Sequence, residues 1–245
     1  MVPIPLAHRG WWWPEPRRQN EPPAFLAAAR AGYGLELDIC MGGDRLWIAH
    51  APGDVLTGRA SCGPAGILPA LCAAPLLAWN VKAPGCGPPL AAFLAKHGLE
   101  RRSLVFDMEL LGPGESHAIL AALDGHELAP GSPQLLVRAS DRPLEPLAGA
   151  LGCPWASGVW LDAFEKDWGT REVIETVHRA QKAAYVVSPE LHGRPLDLGL
   201  WKEWVGAGAQ GICTDFPHLL AAWLDGRGHG VVVQTTISAP SSSPS

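Results

Sequence analysis

Apolar residues in this chain gather in short runs, and polar or punctuated stretches separate them. Eight runs stand out: Ile4–Ala7, Leu35–Ile39, Leu77–Val81, Ser103–Phe106, Gln134–Arg138, Gly158–Leu161, Ala184–Val187 and Gly211–Cys213. "LLAWNV" and "SLVF" are almost continuously apolar, the pattern of strands buried on both faces. Most gaps carry helix punctuation. Pro22 and Pro23 can open a helix over Ala24–Ala31 that Gly32 stops, and Pro88–Lys96 before Gly98 repeats the device. Thr170 is placed to cap a stretch running to Ala183, its hydroxyl accepting from an early backbone N–H. Pro217–Leu224, ended by Gly226, makes a last helix.

Strands alternating with helices must pair in parallel, because each crossover returns the chain to the same end of the sheet. Eight such units predict a closed (β/α)8 barrel, with a doubly wound open sheet as the alternative. Two local departures are expected. Pro143 and Pro146 weaken the helix between the fifth and sixth strands, and Leu46–Ile48 follows the second strand too closely for a helix and should form a hairpin with it. The chain reads as one barrel domain over 1–230 and a disordered Ser/Pro-containing tail over 231–245, where "TTISAPSSSPS" offers too little apolar surface to order itself.

Composition removes several classes of function. At 245 residues and 47% apolar content the chain can build a full core. A net charge of −5, with no basic run among aromatics, argues against a nucleic-acid partner. No apolar run has membrane-spanning length and no N-terminal signal pattern occurs, so a cytoplasmic protein without a membrane anchor is expected. The six cysteines contain no C-x-x-C pair, so free thiols are expected, with a Cys62–Cys72 disulfide as the alternative. Nothing here fixes an oligomeric state.

Ligands of parallel α/β folds bind beyond the carboxyl ends of the strands. Every run leads into polar groups at that end: His8 and Arg9, Glu36 and Asp38, Asn80 and Lys82, Asp107, Arg138, Asp162, Glu190 and Asp215, with His50 ending the hairpin. One such residue would be solvation; a series of eight is a site. Glu36 and Asp38 lie two apart on a strand and point the same way. Their repulsion is ordinarily relieved by a hard cation, here Mg²⁺ or Ca²⁺; a carboxylate paired with an Arg is the alternative. His8 and His50 can act as acid and base. Arg9, Lys82 and Arg138 can hold an anion, and phosphate matches the Arg fork. Together these suit cleavage of a small phosphodiester.

The ordered motifs "AHRG", "QNEPPAF", "GLELDI", a later His and an Asn/Glu-x-Lys strand resemble the glycerophosphodiester phosphodiesterases. The resemblance covers roughly residues 4–225 and is most specific in the first 82. It implies a TIM barrel like that of phosphatidylinositol-specific phospholipase C, and a place in lipid metabolism. It also implies His8 and His50 as the acid/base pair, Arg9 and Lys82 on phosphate, Glu36 and Asp38 on metal, and Asn20 in support. "VWLDAF", "VSPELHGR" and "CTDFP" resemble the family's later strands and make Asp162, Glu190 and Asp215 wall residues. Two departures stand out. "NVK" puts Asn80 where the family has a third metal-binding Glu, so metal should bind more weakly unless Asp107 supplies the charge. "HAPGD" replaces a common His-Asp, and the short 52–75 stretch leaves no room for a large inserted subdomain. A same-fold enzyme forming a cyclic phosphate, or a module that binds phosphate esters without turnover, are the competing readings.

Trp11, Trp12 and Trp13 read chiefly as packing at the barrel mouth. His192 reads as a loop histidine satisfied by backbone, and His97, His117, His126, His178 and His229 are assigned no role.

Overall fold

A computed structural model describes residues 2–60, 62–106, 133–142 and 144–226. Among the described residues ten strands form in chain order: β1 (Ile4–His8), β2 (Gly34–Gly42), β3 (Arg45–Ile48), β4 (Leu77–Val81), β5 (Ser103–Phe106), β6 (Gln134–Asp141), β7 (Leu144–Glu145), β8 (Gly158–Asp162), β9 (Ala183–Val187) and β10 (Gly211–Thr214). Eight of them pair in parallel in the order β1-β10-β9-β8-β6-β5-β4-β2, and β1 also pairs with β2. That last pairing closes the ring, so the open-sheet alternative is excluded and the fold is a TIM barrel. The predicted hairpin is present, with Ile39 opposite Ile48 in the antiparallel β2–β3 pair.

Alternation along each strand divides the core into layers. Leu35, Leu37 and Ile39 point outward and pack with Phe25, Leu71, Trp79 and Leu90 beneath the helices. Val159, Leu161, Val186 and Ile212 do the same on the other side, against Ile174, Trp201 and Leu220. Burying each large apolar side chain contributes about 1.5–3 kcal/mol. The barrel interior is filled by Leu6, Ala78, Leu104, Phe106, Leu136, Trp160, Tyr185 and Cys213. Phe106 stacks on Trp160 at 4.0 Å between ring centroids, which gives the barrel an aromatic floor. The next inward positions on β1, β4, β6 and β8 are His8, Asn80, Arg138 and Asp162. One period of two thus turns a dry floor into a polar mouth.

Helices occupy the expected gaps, including Pro22–Arg30, Gly87–His97 with left-handed Gly98 past its end, and Pro217–Leu224. The segment after β6 manages only a six-residue helix, Leu147–Gly152, as its prolines predict. Thr170 is a correction. It is the N-cap residue of Arg171–Arg179, but its side chain makes no cap bond. The early Arg171 N–H instead donates to Glu203 Oε1 at 2.6 Å, so a carboxylate from the next helix does the work expected of the hydroxyl. That helix also stops at Arg179, because Ala183 opens β9.

Between β3 and β4 lie only short helices at Pro52–Leu56, Pro64–Ile67 and Leu68–Ala73, so the barrel carries no large insertion there. None of the six cysteines is in a disulfide, which removes the Cys62–Cys72 alternative. No helix of the described residues is long and apolar enough to cross a membrane. Asp107, His117, His126, Pro143, His229 and the predicted tail lie outside the described residues.

Candidate active site

A cavity of about 840 Å³ opens at the carboxyl ends of the parallel strands. Its lining includes His8, Arg9, Glu36, His50, Asn80, Lys82, Arg138, Asp162, Glu190 and Asp215, so these predicted positions converge on one space.

β1 delivers His8 and then turns sharply. Arg9 takes a left-handed conformation (φ 55°), as does Asn20 (φ 60°), and the Asn20 N–H donates to the Arg9 carbonyl at 3.0 Å. Non-glycine residues held there cost on the order of 1 kcal/mol or more each, and such strain gathers at functional sites. Gly10 is obligatory: a Cβ there would lie 2.8 Å from the Ala24 carbonyl carbon. The turn aims two adjacent polar side chains into the same cavity. His8 Nδ1 lies 2.7 Å from Asp215 Oδ1, which leaves Nε2 for chemistry. Asp215 is fixed in turn, since its backbone N–H and the Thr214 hydroxyl both donate to Glu190 Oε1. Burial raises the Glu190 pKa, and its Oε2 is buried without a partner.

Glu36 and Asp38 are both buried. Burial and then the neighbouring Asp38 charge raise the Glu36 pKa. Asp38 goes the other way: burial opposes its charge, but Arg9, a His50 hydrogen bond and Lys82 together hold it well below the usual range. Arg9 Nε sits 2.7 Å from Asp38 Oδ2, and Lys82 Nζ sits 3.9 Å from Oδ1. Asn20 Nδ2 donates to Asp38 Oδ2 at 3.4 Å. The hairpin brings in His50, because the Ala49 N–H donates to the Asp38 carbonyl. His50 Nδ1 is 2.6 Å from Arg9 Nη2 and 3.2 Å from Asp38 Oδ2. A guanidinium only donates and a carboxylate only accepts, so one tautomer cannot serve both.

Whether these groups suit a hard cation can be judged from the donors. Among the described residues no three His, Cys, Asp or Glu side chains form a metal cluster. Two carboxylates and an amide do converge: Asn80 pairs with Asp38 across β4–β2, and Asn80 Nδ2 donates to Glu36 Oε1 at 3.2 Å. Asn80 Oδ1 and Asp38 Oδ1 are buried with no hydrogen-bond partner. An all-oxygen set with two unused oxygens fits Mg²⁺ or Ca²⁺, and the cations already around Asp38 make that fit a weak one.

Other predicted residues have different surroundings. Arg138 lines the cavity, but its fork grips Glu145 at 2.6 and 3.1 Å, so its charge is already balanced by β7. His192 is a correction. Its Nε2 meets Asp162 Oδ1 at 2.6 Å, not backbone, and its ring stacks on Phe164 at 3.8 Å. It lines the cavity; a position just beyond β9, at the strand end shared by every other site residue, was the available signal. Sequence reasoning also missed Gln19, which accepts from Arg9 Nη1 at 3.1 Å, and His218, half-buried and stacked on Trp11 at 5.5 Å. Trp11 and Trp13 pack against Tyr33 and Phe216, whereas Trp12 lines the cavity and donates to the His8 carbonyl.

No protein-family model matches the sequence, and no curated protein matches it significantly. Solved structures do. One, described as "a putative glycerophosphodiester phosphodiesterase from Galdieria sulphuraria", superposes with a TM-score of 0.69 at 17% identity, covering 92% of this chain and 98% of that one. A chain of the tryptophan synthase complex from Pyrococcus furiosus superposes with a TM-score of 0.53 at 12% identity, over 93% and 95%. Both likenesses establish the barrel, and differing chemistries on one barrel leave function to the site.

Proposed function

We propose that this protein hydrolyses a small phosphodiester, most simply a glycerophosphodiester, to an alcohol and a phosphomonoester. The observation that carries the reading is the pairing of a carboxylate-held histidine, His8 with Asp215, with the Arg9–Lys82 cluster in one cavity. Simple phosphate binding needs the cations alone. The resemblance of the strand-end motifs and the name carried by the Galdieria neighbour point the same way.

In this reading His8 Nε2 takes a proton from the attacking water, while Asp215 holds the ring's tautomer and stabilises its charge. Arg9 turns from Asp38 and His50 toward two phosphate oxygens, and Lys82 adds a point charge. Glu36, Asp38 and Asn80 would hold the divalent cation, which supplies neutralisation of charge building on the phosphoryl oxygens. The test is a panel of glycerophosphodiesters assayed with and without a chelator in oxygen-18 water. Label should enter the phosphomonoester; a persisting cyclic product, or no turnover, would reject this reading.

Two further outcomes are expected. Arg9→Lys should raise KM and lower kcat together, because a planar two-point donor becomes a single charge. An unchanged kcat/KM would make Arg9 structural. Asn80→Glu should tighten Mg²⁺ or Ca²⁺ binding in calorimetric titration, because affinity at oxygen sites rises with ligand charge. Asp107→Asn should leave affinity nearly intact if Asn80 is the third ligand, and should abolish it if Asp107 is. Activity that survives chelation, with no binding by wild type or either variant, would remove the cation.

A further inference from the structure

We infer that His192, held by Asp162, is a catalytic residue that protonates the leaving alcohol, and that His50 belongs to the phosphate clamp instead. This rests on the hydrolytic reading above and reassigns one of the two proton-transfer groups that the family resemblance implies.

The cavity contains two histidine–carboxylate pairs of matching build. His8–Asp215 spans 2.7 Å with side chains 12% and 14% exposed. His192–Asp162 spans 2.6 Å with side chains 14% and 10% exposed. Each ring is fixed through one nitrogen, and no described residue bonds the other, Nε2 of His8 and Nδ1 of His192. Phe164 stacking fixes the His192 ring from its face as well. The first pair joins β1 to the end of β10 and the second joins the end of β9 to β8, so the two follow one another round the rim in the order β1-β10-β9-β8 and both line the cavity. Displacement at phosphorus uses two such groups, a base for the attacking water and an acid for the departing oxygen.

His50 has a different environment. Its side chain is 51% exposed, and its Nδ1 lies 2.6 Å from Arg9 Nη2 and 3.2 Å from Asp38 Oδ2, so it shares a carboxylate that Arg9 already occupies and has none of its own. A ring that shares Arg9 is suited to setting the guanidinium's position.

The step balances as follows. Water oxygen bonds to phosphorus and loses one proton to His8 Nε2. The phosphorus–alcohol oxygen bond breaks, and its electron pair stays on that oxygen. That oxygen takes the proton from Nδ1 of protonated His192, whose charge Asp162 balances. Solvent then removes the proton from His8 and restores the one on His192.

The discriminating experiment compares two glycerol phosphate diesters, one releasing p-nitrophenol and one releasing ethanol. p-Nitrophenolate leaves without protonation; ethoxide does not. His192→Ala should lower kcat for ethanol release about 10²–10⁴-fold more than for p-nitrophenol release, with KM changing much less than kcat. His192→Gln, which keeps a polar side chain in place, should show the same selective deficit if the alanine variant folds poorly. His50→Ala should slow both esters to a similar degree and raise KM. Equal losses on the two esters in both His192 variants would overturn the inference, as would an ethanol-selective loss in His50→Ala alone. If wild type hydrolyses neither ester, the hydrolytic reading falls and takes this one with it.

Discussion

If the protein hydrolyses a phosphodiester as proposed, His8→Ala should lower kcat by about 10²–10⁴-fold and leave KM for the diester within a few-fold of wild type. In the proposed reaction Arg9 and Lys82 hold the phosphate and the imidazole moves a proton, so its loss should remove proton transfer rather than affinity. Asp215→Asn should reproduce part of the deficit. An amide at that position can bond either tautomer of Nδ1 but cannot balance an imidazolium, so the ring is less well held and its charged form less stable. Glu190 keeps the backbone N–H of residue 215 in place in that variant, since this contact does not involve the substituted side chain. Steady-state kinetics of both variants on one diester would decide. A His8→Ala enzyme with wild-type kcat would remove the histidine from the reaction, and a large rise in KM alone would make it a binding group.

Asp38→Asn should destabilise the fold by about 3 kcal/mol, the lower part of the range for breaking a buried ion pair, because Arg9 keeps some contact with solvent. The Asp38 side chain is 1% exposed and serves Arg9, Lys82 and His50 together, so removing its charge leaves cationic groups facing a neutral amide. The effect carries a pH signature. Because its folded pKa lies below the unfolded value of about 3.9, Asp38 contributes stability above that pH and loses it as pH falls toward the folded value. Glu36 works in the opposite sense, since its raised pKa makes ionisation cost stability as pH climbs past its unfolded value. The gap between wild type and Asp38→Asn in chelator-treated protein should therefore be full near neutrality and narrow below about pH 4. Denaturant midpoints across that range measure it. A constant gap would mean that the Asp38 charge does not stabilise the native state.

The barrel was legible because its strands carry their period openly. Leu35, Leu37 and Ile39 alternate with Glu36 and Asp38, and the same alternation places Ala78 below Asn80 and Trp160 below Asp162. Site membership followed, since any polar residue ending a parallel strand reaches the same mouth. Partners did not follow. Nothing in the spelling of Arg138 says that a two-residue strand will turn back and present Glu145, and nothing in Thr170 says that Glu203 will reach its helix first. His192 was misjudged for the same reason. Its distance from β9 was readable, but its partner Asp162 lies 30 residues away on a neighbouring strand. Single-sequence patterns report which way a side chain points; which charges meet is settled by tertiary packing.

β1 sits at the seam of the ring, hydrogen-bonded to β2 on one side and β10 on the other. The same closure brings His8 to Asp215 across a sequence separation of 207 residues. Contacts this distant are slow to form, because the intervening chain must surrender its freedom before they are made. An intermediate with the nearer pairings in place, β1 on β2 among them, would still have an open seam between β1 and β10 and a histidine without its carboxylate. Gain of the proposed activity during refolding should therefore time the closing of that seam and be blind to the formation of the other strands, while circular dichroism would register those strands first.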